Sequence, residues 1–408
     1  MNCRFCSQPL SHLFADLGEA PPSNSFLSKE DLAKPELNYP LKLFVCDHCF
    51  LVQLEEFKKA TEIFSGDYLY FSSFSTSWLQ HAKEYARMMI DRFNYNSHSL
   101  VLEIASNDGY LLQYFKESGI PVLGIEPTKS TAEVSIGKGI RTIMEFFGVA
   151  LAEKLINDGL KADLIVGNNV LAHVPDINDF VSGMKKVLAA DGVITMEFPH
   201  LMNLVLYNQF DTIYQEHYSY LSFHTVSLIF ESHGLELFDV EQIATHGGSL
   251  RIFANHKNAK SREISTHVKT LRNKEEQLGM RTLGYYEGFQ KKISSIEAAL
   301  MKFLRQQKDE KKRVIAYGAA AKGNTLFNYC KIDSDLIPLV IDKSPFKQGK
   351  YLPGSKIPVV DESFILSQRP DFILILPWNI QQEIIGQLKY AKEWGCRFVV
   401  AIPSLQII

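Results

Sequence analysis

The sequence predicts an α/β protein of two Rossmann-like units, the second one smaller, preceded by a cysteine-bound metal module. Strand–turn–helix alternation runs from Ser99 to Glu197, and a shorter set of the same kind runs from Arg313 to Ile402. Two Cys-x-x-Cys pairs, Cys3/Cys6 and Cys46/Cys49, stand at the front of the chain. Such alternation implies a parallel sheet covered by helices on both faces. A chain of 408 residues can bury two or three cores. We place the boundaries at 1–72, 73–258 and 259–408.

The first segment carries many turn formers, Pro21, Pro22, Pro35 and Pro40, together with both cysteine pairs. The second begins with a helical pattern near Trp78. Ser99–Ala105 follows as a strand, Asp108–Ser118 as a helix, and Val122–Glu126, Asp163–Gly167 and Gly192–Glu197 as strands. From Ser261 to Lys312 the chain is charge-rich, with Leu271, Leu278, Phe289, Ile293, Ile296 and Leu300 at helical spacing. One or two amphipathic helices bridging domains account for that pattern better than a coiled coil, because no heptad is sustained. The third segment resumes strands at Arg313–Gly318, Pro338–Asp342, Phe372–Leu376 and Arg397–Ile402.

Composition narrows the function. With 46% hydrophobic residues, 22% charged and a formal charge of -3, the chain lacks the basic field of a nucleic-acid binder. No apolar run is long enough to cross a bilayer, and Met1 to Cys6 lacks the apolar core of a signal peptide. The uneven placing of six cysteines, four in front and Cys330 and Cys396 far behind, fits a reducing cytoplasm.

The paired cysteines form two knuckles about forty residues apart. Four thiolates around one ion give the closed tetrahedral site of structural zinc. Simple burial of two matched pairs is the blander reading, and a redox dithiol lacks its usual βαβ surroundings. His48 stands inside the second knuckle, but four cysteines already complete the site.

A second constellation joins the first strand of the sheet to its helix: Glu103, Ala105, Asn107, Asp108 and Gly109. There the backbone of a doubly wound fold passes close to a ligand. Three spaced glycines are absent. Instead an acid ends the strand, one glycine opens the helix, and Glu126 ends the second strand, where a carboxylate accepts ribose hydroxyls. This arrangement suits S-adenosylmethionine better than NAD. Asn168 and Asn169 end the fourth strand at the ligand-facing edge, and Glu145 and Phe146 flank the adenine position. Turn and core roles are the plain alternatives for these residues, and one of Phe146 and Phe147 is expected in the core.

These pieces, in this order, resemble the sugar C-methyltransferases that act on nucleotide-linked 4-keto-6-deoxyhexoses. The resemblance covers nearly the whole chain and rests on the cysteine pairs and Tyr68-Leu-Tyr70-Phe-Ser-Ser. It rests further on Glu103-Ile-Ala-Ser-Asn-Asp-Gly109, Tyr214-Gln-Glu-His217, His246-Gly-Gly-Ser-Leu-Arg251 and Tyr317-Gly-Ala-Ala-Ala-Lys322. Ala105 departs from the family's glycine. Alanine tolerates the common backbone regions, so a small adjustment with retained cofactor binding is expected.

The resemblance implies deprotonation at the sugar carbon beside the ketone, then methylation of the enolate. That chemistry needs a base, donors for the enolate oxygen and placement of the methyl group. His217 is expected as the base, with Glu216 beside it, Tyr214, Tyr68 and Tyr70 as hydrogen-bonding partners, and His173 near the transfer point. The C-terminal domain is expected to wall the sugar-nucleotide site through Tyr317, Lys322, Asn324, Trp378 and Asn379, with His246 and Arg251 facing it from the methyltransferase side. The substrate is then a small-molecule sugar nucleotide, dTDP- or GDP-linked, with the nucleotide, the sugar and the choice of monomer or homo-oligomer left open. An O- or N-methyltransferase, an NAD-dependent dehydrogenase using the C-terminal domain, and a non-catalytic zinc-ribbon scaffold are the rival readings.

Overall fold

The computed structural model describes residues 1–57, 71–259 and 262–408. The N-terminal segment forms strands β1 (His12–Ala20), β2 (Tyr39–Val45) and β3 (Val52–Leu54). The middle segment carries β4 (Val101–Ile104), β5 (Val122–Ile125), β6 (Thr142–Ile143), β7 (Ala162–Asn168) and β8 (Leu188–Pro199). It continues with β9 (Ser219–Tyr220), β10 (Leu235–Ile243) and β11 (Ser249–His256). The C-terminal segment supplies β12 (Val314–Tyr317), β13 (Val340–Ile341), β14 (Val359–Val360), β15 (Phe372–Ile375), β16 (Arg397–Val400) and β17 (Gln406–Ile407).

Alternating burial in β1 and β2 sets up an antiparallel sheet of order β1-β2-β3-β9. Its last strand is borrowed from the middle segment, with Val52 opposite Tyr220. The central sheet has the order β10-β11-β8-β7-β4-β5-β6. Five strands run parallel, as their continuous apolar sequences require. The expected all-parallel sheet is corrected at one edge, where β11 pairs antiparallel with both β8 and β10. Gly247 and Gly248, at φ 88° and 110°, turn the chain between β10 and β11 tightly enough to make a hairpin. The third sheet, β14-β13-β12-β15-β16-β17, is parallel except for β17. It is the smaller Rossmann-like unit.

The bridging segment divides. Helix Thr266–Gln277 turns Val268 and Leu271 into the core shared with β10 and helix Phe223–Ser232. Helix Phe289–Asp309 buries Phe289, Ile293, Ile296 and Leu300 in the core joining the first and third sheets. The first of these helices thus packs with the middle segment and the second with the C-terminal unit. Leu278, expected on the apolar face, is 37% exposed because the helix ends there, ahead of Gly279 at φ 78°.

The N-terminal segment likewise serves two cores. Its sheet packs on the C-terminal unit, whereas Cys3, Cys46 and Cys49 join the core on one face of the central sheet.

Candidate active site

The site begins at the topological switch of the central sheet, where β5 lies on one side of β4 and β7 on the other. Ligands of open α/β sheets bind beyond the carboxyl ends of such strands. The turn after β4 places Ala105, Asn107 and Gly109 at φ 58°, 49° and 73°. Glycine suits position 109, because φ is 73° and a Cβ would press on Ile140 Cδ1 at 2.6 Å. The expectation for Ala105 is corrected: it occupies the left-handed region, which is disfavoured for residues with a Cβ. Ala105→Gly should relieve about 1–2 kcal/mol of strain against about 0.4–1 kcal/mol of added chain entropy. The net gain, about 0–1.6 kcal/mol, is measurable by urea unfolding.

Around this turn the carboxylates differ in role. Glu126 Oε2 accepts from Asn107 N and Oε1 from Thr128 N, both at 2.9 Å, so Glu126 shapes the loop while keeping lone pairs for a ligand. Burial raises its pKa, with the two amides acting against the shift. Both oxygens of Glu103 are buried without a hydrogen-bond partner among the described residues. Burial pushes its pKa well above the usual carboxylate range, Asp108 and Glu126 add to this, and the nearby Tyr110 hydroxyl opposes it. Orphaned acceptors of this kind await a donor or a cation. Asp108 is engaged by Ser73 and by Lys138 at 3.6 Å. Asn168 donates to Tyr110 Oη at 3.4 Å, and its own carbonyl oxygen is buried without a partner among the described residues.

Trp78, which the sequence marks only as the start of a helix, lies in helix Thr76–Phe93. It stacks on Tyr110 at 5.9 Å and on His81 at 4.8 Å, and meets His246 edge-on at 5.3 Å. Glu145 is exposed and paired with Lys154, Phe146 is 43% exposed beyond β6, and Phe147 packs on Phe180, as expected for one of the two phenylalanines. The strand-end acids, Asn168 and the aromatic wall fit S-adenosylmethionine through ribose-hydroxyl and ammonium recognition. Glu126→Ala should weaken S-adenosylmethionine binding about 10- to 100-fold, the worth of hydrogen bonds to a charged group, as read by calorimetry.

Beyond Asn169 the predicted substrate residues converge. Asn169 Nδ2 lies 3.0 Å from His246 Nε2. The His217 ring lies 4.7 Å from His173 and 4.0 Å from Tyr214. His217 Nδ1 is 2.9 Å from the Thr212 carbonyl oxygen. Because a carbonyl can only accept, the hydrogen sits on Nδ1 and Nε2 keeps a lone pair. Burial holds the His217 pKa well below its ordinary value, and His173, His246 and Lys322 add to the effect. His173 and His246 are pushed down to about 4, by burial first.

The C-terminal unit closes the other side. Gly247 lies so close to Trp378 that a Cβ would meet its ring at 2.4 Å. Trp378 Nε1 donates to Asp211 at 2.7 Å, and Lys322 donates to Asn379 at 2.8 Å while lying 4.4 Å above the Trp378 ring. Burial lowers Lys322 to about 8 and raises Asp211 to about 6, each partly offset by the other's charge.

Three expected substrate contacts are held elsewhere. Arg251 is buried in the sheet, bound to Glu197 at 2.5 Å and Glu241 at 2.7 Å, so its charge is already compensated. Tyr317 donates to Glu362 at 2.5 Å, and Asn324 donates to the Ser23 carbonyl at 2.5 Å. Tyr68 and Tyr70 lie outside the described residues. The site also recruits residues that sequence patterns did not mark. Asn24 donates to Glu216 at 2.6 Å, beside Gln215 of the predicted motif, which donates to the Ala20 carbonyl at 2.8 Å. Asp211 stands three positions ahead of Tyr214, which was the one available signal for it.

Low histidine pKa values couple the site to stability. An unfolded histidine binds its proton near 6.5, whereas His246 resists until about 4. Stability is therefore lost as pH falls through that window. Between pH 7 and 4 the wild type should lose about 3 kcal/mol more than His246→Asn, as urea unfolding at stepped pH would show. Asparagine suits the position because His246 sits at φ 54°.

The four cysteines meet as the spacing requires. Cys3 and Cys49 sulfurs are 3.5 Å apart, as are those of Cys6 and Cys46, and all four lie within 4.8 Å of one another. Tetrahedral zinc with bonds of about 2.3 Å sets thiolates about 3.8 Å apart, so the cluster fits. Each knuckle closes alike: Ser7 N donates to the Cys3 carbonyl and Phe50 N to the Cys46 carbonyl, both at 2.9 Å. Between the first pair, Arg4 donates to Pro175 O at 2.9 Å and lies over Tyr218. The metal module therefore buttresses the loops carrying His173 and His217.

A central sheet with strand-end acids at its switch point, next to a metal module, defines an S-adenosylmethionine-dependent methyltransferase with structural zinc. The comparisons agree. Residues 3–64 match a zinc binding domain, 78–240 a methyltransferase domain and 244–403 a C-methyltransferase C-terminal domain. The chain is 33% identical over 406 residues to "C-methyltransferase NovU" of Streptomyces niveus, covering 100% of this chain and 96% of that one. It belongs to the C-methyltransferase family. A ubiquinone biosynthesis O-methyltransferase of Bartonella quintana is 27% identical over 95 residues, 23% of this chain and 38% of its own. Among solved structures, magnesium protoporphyrin IX methyltransferase from Synechocystis PCC 6803 aligns with TM-score 0.35 and 14% identity, over 43% of this chain and 82% of its own. Among the described residues, no helix is long and apolar enough to cross a membrane.

Proposed function

We propose that the protein methylates carbon 3 of a nucleotide-linked 4-keto-6-deoxy sugar. The observation that carries this reading is His217, its Nε2 open and its ring against His173 and Tyr214, within electrostatic reach of Lys322. The ketone acidifies the neighbouring C–H, and His217 takes that proton at Nε2. The charge that develops on the ketone oxygen is held by Lys322, which at about 8 keeps its proton at neutral pH, and by Tyr214. His173 and His246, neutral at this pH, complete a polar wall without placing a second positive charge beside His217. S-adenosylmethionine, when bound, supplies an electrophilic methyl group. Glu126 and Glu103 hold its ribose and ammonium groups, and Trp78 and Tyr110 flank it. Trp378 and Asn379 serve the nucleotide side of the cleft.

The test is incubation with methyl-labelled S-adenosylmethionine and a panel of dTDP- and GDP-linked 4-keto-6-deoxy sugars, with the label located by NMR. In D₂O without cofactor, the C3 hydrogen should exchange. Label on oxygen or nitrogen without exchange would establish the O- or N-methyltransferase alternative, and no product across the panel would reject the substrate class.

A further inference from the structure

Beside His217 lies a small cavity of about 20 Å³. His200, Gln209, Thr212, His217 and Ser219 contribute to its wall. One water needs about 10–15 Å³ and at least two polar partners. Both conditions are met, because His200 Nδ1 and Ser219 Oγ are buried there without a hydrogen-bond partner among the described residues. Each of these residues is 1% exposed.

His200 is unusual in its other bond. Its Nε2 lies 2.6 Å from Glu275 Oε1, and that carboxylate also accepts Phe223 N at 2.7 Å and His224 N at 2.8 Å. Glu275 thus sits at the N-terminus of helix Phe223–Ser232, where amides and the helix dipole favour its charge. The carboxylate accepts from Nε2–H of His200, and in the neutral imidazole Nδ1 is then an acceptor. The His200 backbone joins the two segments that carry the site histidines. Its N–H donates to Gly248 O at 3.1 Å, and Leu201 N donates to Leu221 O at 2.9 Å.

We propose that His200 and Glu275 are positioning residues for His217, and that they act through one buried water held by His200 Nδ1 and Ser219 Oγ. The water fills the space lined by Thr212 and His217 and supports the hydrogen bond through which the Thr212 carbonyl keeps the imidazole in its Nδ1–H tautomer. Glu275 fixes the orientation of His200 from the far side. The proposal rests on the reading of His217 as the base.

Two substitutions separate the ends of His200. Glutamine retains a donor for Glu275 and loses the Nδ1 acceptor, whereas asparagine retains an acceptor near Nδ1 and gives up the Glu275 bond. His200→Gln should fold, bind S-adenosylmethionine with unchanged KM and lose kcat about tenfold, the order expected from slight misplacement of a reacting group. His200→Asn, which keeps the acceptor but loses the hold of Glu275, should lose less of kcat than His200→Gln and show a lower Tm. A high-resolution crystal structure should show an ordered water within hydrogen-bond distance of His200 Nδ1 and Ser219 Oγ. Nitrogen-15 NMR of labelled histidines should show one Nδ1–H tautomer for His217 in the wild type and in Ser219→Ala a mixture. A dry cavity, an unchanged tautomer in Ser219→Ala, or kcat within twofold of wild type in His200→Gln overturns the proposal. The density and the tautomer are read without substrate, so absence of turnover on keto sugars would reject the substrate reading and leave this one to its own test.

Discussion

His217→Ala should reduce methyl transfer by about 10²- to 10⁴-fold, the usual worth of a positioned general base, while S-adenosylmethionine binds as before. The two effects separate because His217 stands beyond Asn169, on the His173 and Tyr214 side, whereas the cofactor residues line the ends of β4, β5 and β7. Hydrogen exchange at the sugar carbon should disappear together with methylation. Retained exchange with lost methylation would place the base elsewhere. The pH profile of kcat/KM carries a second signature. Burial keeps His217 neutral well below pH 6.5, so the acid limb should fall at lower pH than for an ordinary histidine. Lys322 loses its proton near about 8, so activity should decline above that pH. Lys322→Met should remove that alkaline limb along with much of the rate.

Cys46→Ser should release zinc and unfold the knuckles. Structural zinc sites carry apparent binding energies of about 10–16 kcal/mol in isolated peptides, far more than a small module retains without metal. Zinc content by elemental analysis and a lowered Tm are the readouts. Methyl transfer should fail as well, because the knuckles hold Arg4 against Pro175 and Tyr218. The Cys49 carbonyl also accepts from Thr225 Oγ1 at 3.1 Å. A stable, metal-free Cys46→Ser protein with full activity would remove the structural role of the ion.

Much of the fold was legible because its signals are local. Strand cores at Val101–Ile104, Val122–Ile125 and Phe372–Ile375 read directly from apolar runs bounded by turns. The hairpin β10–β11 was less legible, since a parallel sheet with an antiparallel edge differs from a parallel one only in where a glycine turn sends the chain. Ala105 shows a similar limit. Its side chain is compatible with any common conformation, and only the closure of the turn against Glu126 and Gly109 forces φ to 58°.

The sequence by itself determined the cysteine cluster, the strand-end positions of Glu103 and Glu126 and the order of the three segments. Each of these is a matter of residue type at short, fixed spacing, which chain geometry converts directly into a site. Only the tertiary structure decided which polar residues face the cleft. Arg251 and Asn324 carry the same chemistry as a ligand contact would, yet Glu197, Glu241 and Ser23 satisfy them in the scaffold. Asn24, Trp78 and Asp211 instead reach the site. A buried polar group must find its partner wherever packing brings one, and for Asn24 and Glu216 that partner lies 192 residues away along the chain.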